Sequence, residues 1–564
     1  MGGLLSSLIF SPHPVKKRRR NPDVDDELRA PLIKRIRSTY EHVYQELFSK
    51  GEGSDVIICA LGHEWALHRI YLKQSPFFAA LFNGGWKESS DRRITLNLLD
   101  ENITQESLNI VFGSFYSDYV PLTDRTVVSI LAAATWFQMD EIRRLCSNFL
   151  CRHVKLESLI HLHAAAAKYN LPELNQACVN WLVRSLTILP DCPPVFELMK
   201  RVPISLMQSV VSCPKLVVVQ FEEDVFTCLL KWLYLRLNPE KLYCCSSQLL
   251  AEAYKYFAKD AAGFLESAQG AAYAPVFRAI RWEHVISHFR STCQIIRDGI
   301  VPHSWLQKAC QRQWLQQLRC HDLYLAANGS TTNSQNSLLI RTPQLSSLLT
   351  AARGESATSR ERGIAGPQSN VSAEVFWRRC ERLGRRINDG EVPCTWRWSG
   401  YHFGVDLLFK YRRRAFHVVR PTDSLHSEGV VCTSRKYSVK IVLTVICIAD
   451  EDYSPSSFTT VAVDNGDSTP NSSSTAAERP EPEESEQVGE DDAVTATGTA
   501  TATVGGGTVI FPADDSARSR RPQICTSELK TLRMVENAPY ELLRLPDDFL
   551  FPAVVSANIL RYDP

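Results

Sequence analysis

Apolar and polar positions near the start of the chain alternate in short runs, which predicts strands joined by tight turns. The runs at residues 54–59 and 64–67 flank Gly62, an arrangement typical of a β-hairpin. Residues 94–98 alternate in the same way and predict a third strand. Between them, Ser75-Pro76 predicts a helix start, because Ser caps helices and Pro fits their first turn.

Further along, the apolar period changes to that of amphipathic helices. Prolines divide residues 154–320 into short segments of this kind, so we expect that region to be all-helical. One stripe with helical spacing precedes the strands, at Tyr40, Val43, Tyr44, Leu47 and Phe48. Stripes that follow them include Leu108, Val111, Phe112, Phe115 and Tyr116; Val127, Ile130, Leu131 and Ala134; Ile142, Leu145, Cys146 and Phe149; Leu174, Ala177, Cys178, Trp181 and Leu182; and Val225, Leu229, Trp232 and Leu233.

Residues 371–564 return to a strand-like pattern and predict a β-rich domain. Strand-like runs fall at residues 415–419, 437–448, 509–511 and 549–559. Residues 321–370 are rich in Ser, Thr, Asn, Gln and Gly, which predicts a flexible linker. Residues 452–507 offer few apolar side chains to bury and predict a disordered insertion within the β-rich domain.

Composition argues against several function classes. The chain has 564 residues and a formal net charge of +1, so it lacks a global basic field and no direct nucleic-acid partner is expected. Its 17 cysteines include no Cys-x-x-Cys pair, which favours reduced thiols in a cytosolic or nuclear compartment. No P-loop, nucleophile elbow or zinc-protease motif occurs, so we predict no catalytic residue and no cofactor. His284 and His288 have the spacing of a zinc helix but lack the Glu and the third ligand, so no metal site is predicted.

The first 49 residues carry two signals of another kind. Gly2, within Met1–Ser6, fits the N-myristoylation pattern. One acyl chain binds membranes only marginally, and a polybasic run is the usual second signal. Such a run is present and also fits a nuclear-import signal: Lys16, Lys17, Arg18, Arg19 and Arg20. A solvated tail without function is the remaining interpretation.

Several of these residues together carry a resemblance to the BTB (POZ) fold: Ser54, Asp55, Val56, Gly62, Leu67, His68, Arg69, Leu72, Ser75, Phe77, Phe78, Leu81 and Phe82. The resemblance implies an interaction domain, commonly a homodimer, with the 40–48 helix at the place of the family's swapped dimer helix. It also implies that residues 154–320 are a BACK-like helical domain.

Some BTB proteins bind cullin-3 through a hydrophobic-x-Glu motif after the second helix, and Trp86 and Glu88 stand at that place. An aromatic anchor would give affinity and a carboxylate would fix register. The competing interpretation packs Trp86 on its own domain and leaves Glu88 solvated. Tyr116 matches a family tyrosine that also touches cullin, although here the motif departs from the family pattern and reads Tyr-Ser-Asp.

The run of residues 396–407, Trp-Arg-Trp-Ser-Gly-Tyr-His-Phe-Gly-Val-Asp-Leu, closely resembles the C-terminal domain of the germ cell-less family. Residues 59–62, 84–90 and 130–134 resemble it too. The resemblance implies a cullin-3 adaptor with a role in germ-cell formation, located at the nuclear envelope or lamina or tethered to the plasma membrane. It also implies a protein substrate, and the insect form points to a receptor tyrosine kinase.

By elimination the aromatic C-terminal domain would then hold the substrate, with Trp396, Trp398, Tyr401 and Phe403 as candidates. Core packing is the competing interpretation for each of them. The sequence therefore predicts an α+β multidomain protein: an N-terminal segment (1–49), a BTB domain (50–153), a BACK-like domain (154–320), a linker (321–370) and a β-rich domain (371–564). Its leading alternative function is a nuclear BTB co-regulator or lamina scaffold that does not bind cullin.

Overall fold

A computed structural model describes most of the chain. The described residues are 39–85, 90–117, 119–243, 245–258, 263–286, 289–328, 372–400, 405–421, 437–448 and 523–562. Most of the predicted linker, the predicted insertion and the strand predicted at residues 509–511 lie outside these ranges. By internal contacts the chain divides into two units, Met1–Pro121 with Trp136–Gln138, and Leu122–Thr135 with Met139–Pro564.

The first unit is a small sheet with helices, in the order that the sequence predicts. Its elements are α1 (Thr39–Val43), continued by a π-helical turn (Tyr44–Ser49), β1 (Val56–Ala60), β2 (His63–Leu67), α2 (Arg69–Leu72), α3 (Pro76–Asn83), β3 (Arg93–Thr95) and α4 (Gln105–Gly113). Leu61 and Gly62 both have positive φ, 47° and 74°, as a two-residue hairpin turn requires. β2 pairs antiparallel with β1, whereas β3 pairs parallel with it.

Aromatic rings fill the core of this unit. The ring of Phe137 stacks on Phe78 at 5.2 Å and lies 5.4 Å from Phe112. The predicted cap of α3 is confirmed, since the Ser75 hydroxyl accepts a hydrogen bond from the Phe78 amide at 3.4 Å. The same hydroxyl donates to the Phe137 carbonyl at 2.6 Å and so ties the helix start to the aromatic core.

The second unit begins with a helical region, as predicted. Its helices are α5 (Val127–Trp136), α6 (Asp140–Arg152), α7 (Leu159–Lys168), α8 (Pro172–Ser185), α9 (Pro193–Arg201), α10 (Ile204–Ser212), α11 (Glu222–Leu237), α12 (Ser246–Phe257), α13 (Ala274–Arg278), α14 (Trp282–Val285), α15 (Phe289–Arg297) and α16 (His303–Asn328). The last residue of α5, Trp136, is assigned to the first unit. Pro172 and Pro193 occupy the first turns of α8 and α9, where a missing N–H is tolerated.

A short helix and two antiparallel sheets complete the second unit and confirm the β-rich C-terminal domain. The elements are α17 (Ala373–Arg379), β4 (Glu381–Ile387), β5 (Cys394–Gly400), β6 (Val405–Arg412), β7 (Ala415–Val419), β8 (Tyr437–Cys447), β9 (Ile524–Thr526), β10 (Lys530–Met534), β11 (Tyr540–Arg544) and β12 (Ala553–Tyr562). One sheet has the order β10-β8-β12-β4, with β9 on β8, and the other has β11-β7-β6-β5. One continuous apolar cluster takes side chains from both sheets, so they form a β-sandwich.

β4 joins the sandwich to the helical region through buried charges. Arg382 donates to the Glu222 carboxylate from Nε at 2.8 Å and also from its terminal nitrogen, and both side chains are almost fully buried. The Gly384 amide donates to the Gln220 carbonyl at 2.9 Å. Its lack of a side chain permits this approach, since a Cβ there would lie 2.2 Å from the Val218 oxygen.

No helix among the described residues combines the length and the apolar character needed to cross a bilayer.

Candidate functional site

Tyr116, one of the predicted contact residues, lies inside the first unit and is 3% exposed. Its hydroxyl accepts a hydrogen bond from the His68 amide at 2.9 Å and lies 3.1 Å from His68 Nδ1. Nε2 of the same imidazole lies 2.9 Å from the Glu52 carbonyl, which can only accept. The ring proton therefore sits on Nε2, and the phenol donates to Nδ1. Burial raises the pKa of Tyr116 to about 12, so the phenol keeps the proton that it donates.

The π-helical turn that continues α1 packs on this tyrosine. The ring of Phe48 lies 5.4 Å from Tyr116 and 5.1 Å from Tyr44. Gly113 on α4 makes room for this contact, since a Cβ there would lie 3.1 Å from atoms of both Phe48 and Tyr44. The helix predicted at residues 40–48 is therefore present and docks on its own chain through its aromatic side.

Arg69 and Phe82 fix the end of α3. The guanidinium of Arg69 lies 4.8 Å from the ring centroid of Phe82, and its amide donates to the Asp55 carboxylate at 2.8 Å. Phe82 stacks in turn on Phe78 at 5.8 Å. Cation–π and stacking contacts of this kind hold the last turn of a helix in one orientation.

Trp86 and Glu88 follow α3 in the sequence, three and five residues after its last residue, Asn83. They lie outside the described residues, as do Gly2 and the basic run. Their contacts with cullin-3, the acylation of Gly2 and the import signal stay predictions. So does a cullin contact of Tyr116, whose phenol is occupied within its own domain.

Two of the four aromatic candidates in the C-terminal domain can be placed. Trp396 is partly buried and stacks on Phe409 with ring centroids 5.3 Å apart, and Trp398 is 9% exposed. Both indoles belong to the apolar cluster of the sandwich, so core packing accounts for them. A substrate contact of these residues stays a prediction, and Tyr401 and Phe403 lie outside the described residues.

Histidines and cysteines form no metal centre in the described ranges, where no three His, Cys, Asp or Glu side chains come together suitably for an ion. His284 instead lies buried near the Glu222–Arg382 pair, with Nδ1 3.5 Å from Glu381. Burial lowers the pKa of His284 to about 4 and raises the pKa of Glu381 well above its usual value. The His284 imidazole is therefore neutral near pH 7.

His68 and Arg69 position other residues, a role that sequence reasoning did not assign to them. Both belong to the BTB-like run, but neither lies on an apolar stripe that would have drawn attention to it. Their partners Tyr116 and Phe82 lie 48 and 13 positions further along. Local patterning cannot foresee contacts at that separation.

Known proteins resemble this chain both in its BTB region and over most of its length. The BTB/POZ domain family matches residues 44–154. The chain is 33% identical to Germ cell-less protein-like 1 of Mus musculus over 418 residues, which cover 73% of this chain and 71% of the relative. It is 34% identical to Germ cell-less protein-like 2 of Homo sapiens, covering 73% and 70%. It is 27% identical to Protein germ cell-less of Drosophila melanogaster over 483 residues, covering 79% and 78%. These alignments are far longer than the BTB match, so the similarity extends beyond that domain.

Proposed function

Because this chain belongs to the germ cell-less family, and its BTB domain makes it an adaptor-type protein, we propose that it recruits substrates to a cullin-3 RING ubiquitin ligase. It would act as a non-catalytic subunit, with cullin-3 on the BTB domain and the substrate on another part of the chain. The observation that carries the proposal is the position of Trp86 and Glu88 directly after α3 of a BTB domain.

The chemistry of this motif suits a protein interface. Large aromatic side chains dominate binding energy at interface centres, and a neighbouring carboxylate fixes register through hydrogen bonds. A rigid helix end before the motif increases its affinity, because less conformational entropy is lost when the motif binds. The contacts of Arg69 and Phe82 hold the end of α3 rigid in this way.

The remaining assignments extend the same proposal. BTB domains commonly pair, so the adaptor would be a homodimer that presents two cullin sites. Myristoylation of Gly2 together with Lys16–Arg20 would place it at a membrane or at the nuclear envelope. The substrate would be a membrane-associated protein, such as a receptor tyrosine kinase, recruited during germ-cell development.

Copurification of cullin-3 with the full chain tests the proposal. We expect cullin-3 to be retained by wild type and reduced at least about tenfold by Trp86→Ala with Glu88→Ala, since loss of an interface anchor costs about 2 kcal/mol or more. A matched control is Leu99→Ala with Glu101→Ala, a second hydrophobic-x-Glu pair of the same domain whose leucine is 78% exposed. That control should retain cullin-3.

Equal retention by the Trp86/Glu88 variant and wild type would reject the cullin site. A wild-type chain without cullin-3 that instead copurifies with transcription factors or lamins would favour the scaffold alternative. Gly2→Ala tests the location separately, because an unchanged distribution in the cell would remove the lipid from the proposal.

A further inference from the structure

The sheet formed by β5, β6, β7 and β11 has one face in the core and one face outside. Strand register assigns the sides, because directly paired residues share a face. Trp396, Phe409 and Val418 are paired across β5, β6 and β7 and lie in the core. Lys410 pairs with His417, which pairs with Glu541, so this second row lies on the outer face.

Acidic groups on the outer face are already engaged. Asp406 accepts two hydrogen bonds from Arg397, at 2.8 and 2.5 Å. Glu541 is held by Arg544, at 3.2 and 2.8 Å, and lies 3.7 Å from His417. Both carboxylates are thus bound by arginines of their own strands or of the neighbouring strand, and neither pairs with the cations of β6 described next.

Those cations cluster at the β6–β7 turn. Lys410 and Arg412 alternate along β6 on the outer face, and Arg413 follows at the tip. All three are exposed, and none forms an ion pair with a residue in the described part of the chain. We call these three side chains the basic hairpin.

The backbone of this hairpin is unusual for its residues. Arg413 and Arg414 have φ of 48° and 58°, a left-handed pair that normally selects Asn-Gly because side chains disfavour it. Arg414 anchors the turn by donating to the carbonyls of Pro546 and Phe549 at 3.1 Å each. The exposed Arg413 makes no such bond, so its charge is presented on a fixed turn without a structural role of its own.

The segment before β5 contacts this hairpin and exposes an apolar side chain. Glu391 contacts Arg414 at 3.4 Å, and the next residue, Val392, is 55% exposed. The Tyr411 hydroxyl donates to the Gly390 carbonyl at 2.8 Å and so ties this segment to β6. A cationic hairpin whose contacting segment exposes a valine fits a ligand with both carboxylates and apolar side chains.

We propose that the basic hairpin docks an acidic peptide segment, with Glu or Asp against Lys410, Arg412 and Arg413 and an apolar residue against Val392. This deepens the proposed function, on which it rests, by giving the class of sequence that the adaptor recognises in its substrate. A nucleic acid fits less well, because the chain has a net charge of only +1 and nucleic acids are bound along longer cationic tracks.

Fluorescence anisotropy with the full chain tests the docking. The probe is a fluorescein-labelled peptide in which Glu and Leu alternate. Its length of about ten residues is that of a long β-strand. We expect the triple variant Lys410→Gln, Arg412→Gln, Arg413→Gln to bind at least about tenfold more weakly than wild type. Wild-type binding should weaken as NaCl is raised from about 50 to about 300 mM, because exposed charges are screened.

Matched controls separate local from general charge effects. The variant Arg184→Gln, Lys255→Gln, Lys308→Gln removes three exposed cations of the helical region and should bind like wild type. Arg412→Lys with Arg413→Lys keeps both charges and should stay within about threefold of wild type, because the proposed attraction depends on charge. Retained binding would also show that altered side chains here leave the fold intact.

Two results would overturn the proposal: equal peptide binding by the triple glutamine variant and wild type, or tighter binding of a single-stranded RNA that displaces the peptide. Cullin-3 copurification, measured in parallel, should be unchanged in the triple variant. Absence of cullin-3 from wild type with peptide binding intact would reject the adaptor role and leave the docking surface standing.

Discussion

At the scale of single residues, the phenol of Tyr116 fixes the segment that leads into α2. It satisfies both the amide and the ring nitrogen of His68, and that histidine reaches the Glu52 carbonyl. One hydroxyl therefore joins the end of α4 to the loop before β1. Because buried polar groups are costly to leave unpaired, these three residues depend on one another.

Tyr116→Phe keeps the ring and removes the hydroxyl. We expect local stability at His68 to fall by about 1–3 kcal/mol, since its amide and Nδ1 lose their buried partner. Hydrogen–deuterium exchange of the peptide that spans His68 measures this as faster exchange. Tyr71→Phe is the control, because the Tyr71 ring also lies 4.5 Å from Tyr116. Equal exchange in both variants would contradict this role of the hydroxyl.

Arg413 gives a second prediction at this scale, concerning stability. Its left-handed φ of 48° disfavours a side chain by about 1–2 kcal/mol. Arg413→Gly should therefore raise the melting temperature of the full chain in a thermal scan. Arg412→Gly, in the strand next to it, should lower that temperature, because glycine weakens strands. A drop in both variants would show that Arg413 carries no strain.

At the scale of elements, β4 illustrates what local patterning cannot reveal. Its sequence, Glu-Arg-Leu-Gly-Arg-Arg-Ile, has the polar character of a solvated segment, and its pattern does not predict a strand. Glu381 and Arg382 are nevertheless buried, because Glu222, 160 positions earlier, pairs with the arginine. The burial follows from a distant partner rather than from hydrophobicity.

Other elements were predictable because their pattern is local. β7 spans the predicted residues 415–419, and β8 ends one residue before the predicted end. The Ser75-Pro76 start of α3 was equally clear. For the candidate site, sequence placed Trp86 after this helix, but it did not reveal that Tyr116 is enclosed by His68, which is 48 positions away.

Gly384 allows a prediction about how β4 docks. An added methyl group would lie 2.2 Å from the Val218 oxygen and 2.6 Å from the Val219 oxygen, both on backbone that cannot rotate away. We expect Gly384→Ala to destabilise the second unit by about 1–3 kcal/mol, as overpacking does. Urea unfolding followed by tryptophan fluorescence measures this. Gly85→Ala, where a Cβ would meet no atom within 4 Å, should unfold like wild type.

At the scale of the whole molecule, buried ionisable groups between helices and sandwich make stability depend on pH. His284 faces Glu222, Arg281, Glu283, Glu381 and Arg382. Burial, the largest cause, lowers its pKa from 6.5 to about 4. The unfolded chain therefore takes up a proton near pH 6.5 while the folded chain does not, and stability is lost as pH falls from about 6.5 towards 4. The raised pKa of Glu381 acts in the opposite sense, because the folded chain then holds a proton that the unfolded chain releases above its ordinary pKa.

A His284→Gln variant isolates the contribution of the imidazole. On going from pH 7 to pH 5, wild type should lose more unfolding free energy than the variant, because only wild type carries this titrating ring. Urea denaturation at about five pH values in this range measures both curves. Parallel curves would show that His284 does not couple folding to protons.

The pairing of β8 with β9 has a consequence for how the family can diversify. Ile446 lies opposite Ile524 in the ladder, so the long intervening stretch leaves and re-enters the sandwich at neighbouring points. Closing a loop costs only about 0.6 kcal/mol more when its length doubles, so this position can gain or lose residues over evolutionary time at little thermodynamic penalty. Germ cell-less proteins of different species are free to carry different inserts there, and a fluorescent reporter spliced into that stretch should leave the sandwich folded.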